Sequence, residues 1–320
     1  MDALSDVLAA VRLSGSVFLD AEFTAPWCIA ARIGPEDCRP YGAVPAHIIA
    51  YHYVLAGRLV VQLANAVPLE VAAGDIVLLP RNDPHVLASA PGLRPVVVDT
   101  LVQPDPASAM ARLRYGGGGE ATKIICGFLG CEVPDNPLVA TLPAVLRLSL
   151  RQEMAGAWME HSFRLGVDAF ATHRAGSGVL LSKLAELLFA EAVQGYLATL
   201  PEDRTGWLAG LRDPVVGKAL ALLHARVAEP WTTERLAREV ALSRSSFAER
   251  FTALIGTPPM RYLANWRMQL AAASLRKGGR SLAQIACDVG YESEAAFNRA
   301  FKRAYGTAPS AWRRQGREGQ

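Results

Sequence analysis

Leu236-Ala237-Arg238-Glu239-Val240-Ala241-Leu242 returns 49 residues later as Ile285-Ala286-Cys287-Asp288-Val289-Gly290-Tyr291. After a one-residue insertion the offset becomes 50. Phe247 then aligns with Phe297, Phe251 with Phe301, Gly256 with Gly306, Thr257 with Thr307 and Pro259 with Pro309. Two copies of one helical unit therefore lie in tandem. In the first, Thr232 or Thr233 caps a helix reaching Val240, Ala241-Leu242 turns the chain, and Ser243 caps a helix that stops at Gly256. In the second, Ser281 caps a helix to Val289, Gly290-Tyr291 turns, and Ser293 caps a helix to Tyr305 ended by Gly306. Gly290 suits a turn position of positive φ.

Phe247 and Phe251, like Phe297 and Phe301, stand four apart and share a helix face that packs on the preceding helix. The opposite face points outward. In copy one it carries Arg244, Ser245, Ala248 and Glu249; in copy two it carries Glu294, Ala295, Asn298, Arg299 and Lys302. This is the layout of a helix-turn-helix whose polar second helix enters the major groove of double-stranded DNA. Between the copies, Pro259 to Arg276 reads as one helix, roughly 27 Å long at about 1.5 Å per residue. Successive major-groove faces lie about 34 Å apart, so such a connector holds two recognition helices near that spacing.

Charge supports the same reading. From Leu211 to Gln320 there are 18 Lys and Arg against 9 Asp and Glu, a net charge of +9, whereas the preceding 210 residues carry −6. A basic terminal third on an acidic remainder suggests a polyanionic partner. The 320 residues suit two domains, and 51% hydrophobic with 20% charged residues excludes a disordered chain. The opening Met1-Asp2-Ala3-Leu4-Ser5-Asp6 argues against a secretory signal. The charge-free stretch Pro40–Gly57 holds two prolines and two histidines, a poor lipid helix. Five scattered cysteines suit a reducing cytoplasm.

Upstream, Asp2–Val11 has helical spacing. Ser16–Phe23, Trp27–Ile33, His47–Leu55, Leu59–Ala64, Ile76–Leu79, Pro95–Leu101 and Lys123–Leu129 read as short strands divided by Gly, Pro, Asp and Asn. Gly116–Gly119 reads as a flexible turn. From about Leu138 the pattern is helical, with an apolar stripe of Leu180, Leu181, Leu184, Leu187 and Leu188 that either packs on its own domain or pairs two subunits. Pro201–Arg204 reads as the start of a linker.

The segment from about Asp213 to Arg314 resembles the AraC/XylS family of bacterial transcription regulators. The likeness is carried by both motifs, by Ala296-Phe297-Asn298-Arg299-Ala300-Phe301-Lys302 and by Gly306-Thr307-Ala308-Pro309 with Trp312-Arg313. It implies promoter binding through both recognition helices and activation of RNA polymerase. Copy one departs from many relatives in carrying Glu249. Tyr51–Gly57 and Gly74-Asp75-Ile76-Val77-Leu78-Leu79-Pro80…His85 resemble the cupin-type sensor domain of one branch of that family, which implies a small β-barrel.

The expected architecture is α+β: a cupin-like barrel over residues 1–135, a helical connector and possible dimerisation region over 136–210, and an all-α double helix-turn-helix domain over 211–320. Arg244, Ser245, Asn298 and Arg299 are expected at base edges or in the groove, with Ser243, Ser293 and Lys302 on phosphates; Arg267, Arg276 and Lys277 are either backbone contacts or solvated charges. In the cupin pattern the metal positions fall on Val44/Ala46 or Ala43/Pro45 and on Ala50; only His85 fits, so neither metal nor other cofactor is expected. Strand parity turns Ile48 and His52 to the lumen with His85, and His47 away. His52 and His85 are then hydrogen-bonded core residues, anchors for an unknown small-molecule effector, or the remnant of a metal site. The alternatives are a thiol-based redox regulator, with Cys28, Cys38, Cys126 and Cys131 in play, and a metal cupin enzyme fused to a DNA-binding domain. A non-enzymatic cytoplasmic regulator without membrane attachment is the preferred reading, and the leucine stripe permits a homodimer. Cys287 is expected to pack within its motif.

Overall fold

A computed structural model describes residues 4–5, 8, 13–41, 44–64, 66–97, 101–103, 108–131, 136–150, 156–201 and 205–318. The helix expected over Asp2–Val11, the linker start at Pro201–Arg204 and the end of the strand expected over Pro95–Leu101 fall largely outside them. The chain divides into two compact units: Leu13–Cys131 with Leu142–Ala198, and Thr199–Gln320 with Glu132–Thr141 and Met1–Arg12.

The first unit is built on β1 (Leu13–Thr24), β2 (Cys28–Ala31), β3 (His47–Ala56), β4 (Arg58–Leu63), β5 (Leu69–Ala72), β6 (Asp75–Leu79), β7 (His85–Ala88), β8 (Val96–Val97), β9 (Ala111–Gly116), β10 (Ala121–Cys131) and β11 (Leu146–Ser149). Its helices are α1 (Pro35–Cys38), α3 (Gly156–Ala171) and α4 (Ser177–Thr199), with α2 (Pro137–Thr141) in the other unit. The strands form a six-stranded sheet, ordered β11-β6-β3-β10-β1-β9, and a five-stranded one, ordered β5-β4-β7-β2-β8. The expected barrel is thus two cupin-like sheets rather than a closed ring. Residues of both sheets, among them Phe23, Trp27, Val54, Leu59, Val61, Leu87 and Ile124, share one apolar core.

Alternation along β3 sets its two faces. Ile48, Ala50 and Val54 join the core between the sheets. Tyr51 and Tyr53 turn the other way and meet Phe163 of α3, with ring centroids 6.2 and 5.2 Å apart. Arg164 of α3 donates to the Leu55 carbonyl at 3.1 Å, and Ser182 of α4 accepts from Gly15 N–H at 3.0 Å. The leucine stripe of α4 divides accordingly. Leu181 and Leu188 are buried, whereas Leu180 and Leu187 remain exposed.

The glycine run is tightly held. Gly117 and Gly119 N–H donate to the Thr24 and Ala25 carbonyls, each at 2.8 Å, and Gly118 N–H donates to Thr24 Oγ1. A Cβ at Gly117 would stand 2.4 Å from Pro26 Cδ, so the turn read from the sequence is one that needs bare backbone at this position.

The second unit continues with α5 (Trp207–Arg212), α6 (Pro214–Ala225), α7 (Thr233–Glu239), α8 (Arg244–Ile255), α9 (Pro259–Lys277), α10 (Leu282–Asp288), α11 (Glu294–Tyr305) and α12 (Pro309–Glu318). The caps read from sequence all form. Thr232, Ser243, Ser281 and Ser293 side chains accept the N–H three residues on. Gly256 and Gly306 close their helices at φ +79° and +75°.

Candidate functional site

In each motif the phenylalanine pair fixes which way the second helix faces. Phe247, Phe251, Phe297 and Phe301 are fully buried. Phe297 and Phe301 pack with Ile285 of α10, with Val289 that caps its end, and with Met268 and Leu275 of α9. A helix pinned on one side presents the other to solvent. On α8, Arg244, Ser245 and Glu249 are exposed and Ala248 is half-buried. On α11, Glu294, Ala295, Arg299 and Lys302 are exposed and Asn298 is half-buried, its Oδ1 without a hydrogen-bond partner among the described residues. Ser243 and Ser293 are exposed at the helix starts, their hydroxyls engaged as caps.

The charges differ between the copies. Arg244 Nε lies 2.8 Å from Glu234 Oε1 of α7, both largely exposed. Solvent screens such an exposed pair, so it yields readily to a phosphate or base edge. Arg250 is committed elsewhere. It donates through Nε and Nη2 to Asp213 Oδ2 at 3.0 and 2.6 Å, while Asp213 Oδ1 caps α6 by accepting from Val215 and Val216 N–H. Burial pushes the Asp213 carboxyl up, but Arg250 and these N–H groups outweigh it, and the net shift is downward. Arg299 and Lys302 have no carboxylate at ion-pair distance among the described residues.

Arg267 is not a candidate for DNA. Its guanidinium is half-buried and donates to three carbonyls: Val227 at 2.9 Å, Glu229 at 2.7 Å and Gly290 at 3.2 Å. It thereby ties α9 to the segment between α6 and α7 and to the turn of the second motif. Arg276 lies over the Trp312 ring at 5.1 Å. Sequence spacing missed Arg303, which is exposed on α11 beside Arg299 and Lys302. Cys287 is exposed rather than packed.

In the sheet unit, His52 and His85 are each 3% exposed, and their Nε2 atoms stand 2.7 Å apart. One proton arrangement satisfies the whole chain of contacts. The Asp83 carbonyl can only accept, so His85 Nδ1–H donates to it at 2.9 Å and leaves Nε2 as acceptor. His52 Nε2–H donates to that nitrogen, and His52 Nδ1 accepts from the Cys126 thiol at 3.1 Å. Burial favours each neutral form, holding both histidines below their usual range and Cys126 well above it.

These residues do not fit a metal. His85 and Cys126 approach opposite nitrogens of the His52 ring, so the three do not converge on one point. No group of three or more His, Cys, Asp or Glu among the described residues is placed to hold an ion, where a catalytic site needs about three protein ligands. Nor do the thiols suit a low-pKa sensor. Cys28, Cys38, Cys126 and Cys131 are buried, and burial with Asp37 and Glu36 nearby pushes Cys38 up to about 12. Ile48 lines a different cavity, beside His47.

Comparison with known proteins agrees with this architecture. A family described as Cupin matches residues 2–198, and one described as Helix-turn-helix domain matches 236–315. A putative AraC-like transcription regulator of Streptomyces lividans is 36% identical over 77% of this chain and 80% of its own. Another, of Streptomyces antibioticus, is 31% identical over 98% of this chain and 99% of its own. The solved DNA-binding domain of AdpA, a global transcriptional factor in complex with a target DNA, is 29% identical, covering 34% of this chain and 96% of that one with a TM-score of 0.33. The chain belongs to the AraC-like transcription regulators that join a cupin domain to a DNA-binding helix-turn-helix domain.

Proposed function

We propose that this regulator reads promoter DNA with both recognition helices at once. Arg244, Ser245, Ala248 and Glu249 of α8, with Glu294, Ala295, Asn298 and Arg299 of α11, face the groove. Ser243, Ser293 and Lys302 lie along phosphates. The observation that carries this is the pair of exposed polar faces, each backed by two fully buried phenylalanines and joined through the single helix α9. At 19 residues α9 is about 28 Å long, close to the separation of successive major-groove faces. Footprinting of genomic fragments tests it: protection in two adjacent major grooves supports the reading, and sequence-independent coating of DNA contradicts it.

The cupin unit is assigned the sensing of a small-molecule signal, and the regulator acts as a cytoplasmic activator that contacts RNA polymerase. No helix among the described residues is long and apolar enough to cross a membrane. Subunit pairing is assigned to the outer face of α4, where Leu180 and Leu187 are exposed one above the other. Leu187→Glu is expected to abolish a dimer seen by sedimentation; an unchanged sedimentation coefficient rejects this face.

A further inference from the structure

A cavity of about 520 Å³ opens in the sheet unit between the turn after β2, the entry to β3 and the loop between β6 and β7. That volume lies within the range of small-molecule sites. Two arginines line it, Arg32 and Arg81, from segments 49 residues apart. The residue after each arginine holds them side by side: Asn82 Oδ1 accepts from Ile33 N–H at 3.2 Å, and Asn82 Nδ2 donates to the Ile33 carbonyl at 2.7 Å. Asn82 and Ile33 are both buried, so the clamp is rigid. Both arginine side chains are exposed at the cavity, and two like charges lining one concavity favour an anion between them.

The protein answers them only in part. Arg81 uses Nε on Asp83 at 3.2 Å, leaving its terminal nitrogens. Arg32 has no carboxylate at ion-pair distance among the described residues. Glu36 is the one acidic side chain among the described lining residues, and its carboxylate folds over the Gly34 backbone. Val44, Pro45 and Ile48 also line the cavity, and Val44 is an exposed large apolar side chain. The cavity lining thus combines two cations with apolar side chains, whereas the core between the sheets is filled by side chains and its two histidines bond each other.

We propose that this cavity binds a small organic carboxylate, its charged end held by Arg32 and Arg81 and its hydrocarbon end against Val44 and Ile48. Guanidinium forks match a carboxylate in two-point geometry. The proposal rests on the reading of the cupin unit as the sensor and names the chemistry of its signal.

The test is calorimetric titration of the full chain with octanoate, with octanamide as uncharged counterpart, and with inorganic phosphate. Saturable octanoate binding is expected, at least tenfold weaker for octanamide and at least tenfold weaker in Arg32→Gln and in Arg81→Gln. Arg32→Lys, which keeps the charge and removes the fork, is expected to fall between. Each variant's thermal melt without ligand must match the parent, so that lost binding is not lost folding. Failure of octanoate to saturate, equal binding of octanamide, or undiminished binding in folded Gln variants would overturn the proposal. Phosphate binding with octanoate inert would overturn the carboxylate assignment. DNA binding, measured on the same samples without ligand, reports separately on the regulator reading.

Discussion

Arg267 Nη1 donates to the Gly290 carbonyl at 3.2 Å, while the Nη2 and Nε of the same guanidinium hold Glu229 and Val227. One side chain of the connecting helix thus fixes the turn of the second motif against the segment that leads into the first. The arrangement sets the spacing of the recognition helices without presenting charge to DNA. Arg267→Gln is therefore expected to weaken specific DNA binding while leaving the slope of log affinity against log salt unchanged, since no released counterion belongs to it. A slope reduced by about one would show that Arg267 touches phosphate instead.

Gly290 has two reasons to be glycine. Its φ is +78°, and a Cβ there would stand 2.6 Å from both the Ala228 carbonyl oxygen and Arg267 Nη2. Left-handed backbone alone costs a non-glycine residue about 1–2 kcal/mol, and the crowding adds to it. Gly290→Ala should destabilise the helical unit by at least about 1 kcal/mol in denaturant titration and weaken DNA binding in parallel with Arg267→Gln. A stability equal to the parent's would show that the turn has another conformation.

Arg299 and Lys302 lie on one exposed face but are assigned different partners. Arg299→Ala should lower affinity for the selected site by about 1–3 kcal/mol and relax the preferred base at one position. Lys302→Ala should weaken all duplexes alike and reduce the salt slope by about one. Competition titrations against specific and scrambled duplexes, at two salt concentrations, separate the two outcomes. Exchange of the two patterns would exchange the two roles.

Buried neutral histidines tie stability to pH. His52 and His85 are held below their ordinary range chiefly by burial, and burial pushes His224 down to about 3. The unfolded chain binds these protons first, near pH 6.5. The stability they confer is therefore complete above about pH 6.5 and lost as pH falls below it. Melting temperatures should hold between pH 8 and 7 and decline progressively below 6.5. His224→Gln should flatten the part of the decline that belongs to the helical unit. A melting temperature constant from pH 7 to 4.5 would contradict the neutral assignment.

The helical unit was legible because its signals are local. Caps, αL glycines and phenylalanines four apart act within one or two turns, so Ser243, Gly256, Ser293 and Gly306 stand where spacing put them. Parity along β3 likewise set Ile48, Ala50 and Val54 on the core side. What escaped was non-local. Arg267 finds its carbonyls 23 to 40 residues away, and nothing near it in sequence marks them. The strand Ala111–Gly116 at the sheet edge buries only Leu113, between the exposed Arg112 and Arg114, so it offers no apolar run to read. His52 and His85 were legible as neighbours, whereas their closure on each other and on Cys126 depends on three strands meeting.

The central claim is that two recognition helices share one duplex. Selecting bound sequences from a pool of random duplexes with the full chain tests it most directly. The account predicts enrichment of two conserved boxes whose centres lie about one helical turn, about 10 base pairs, apart, with both boxes lost only when both helices are altered. Enrichment of a single box, or of none, would contradict it.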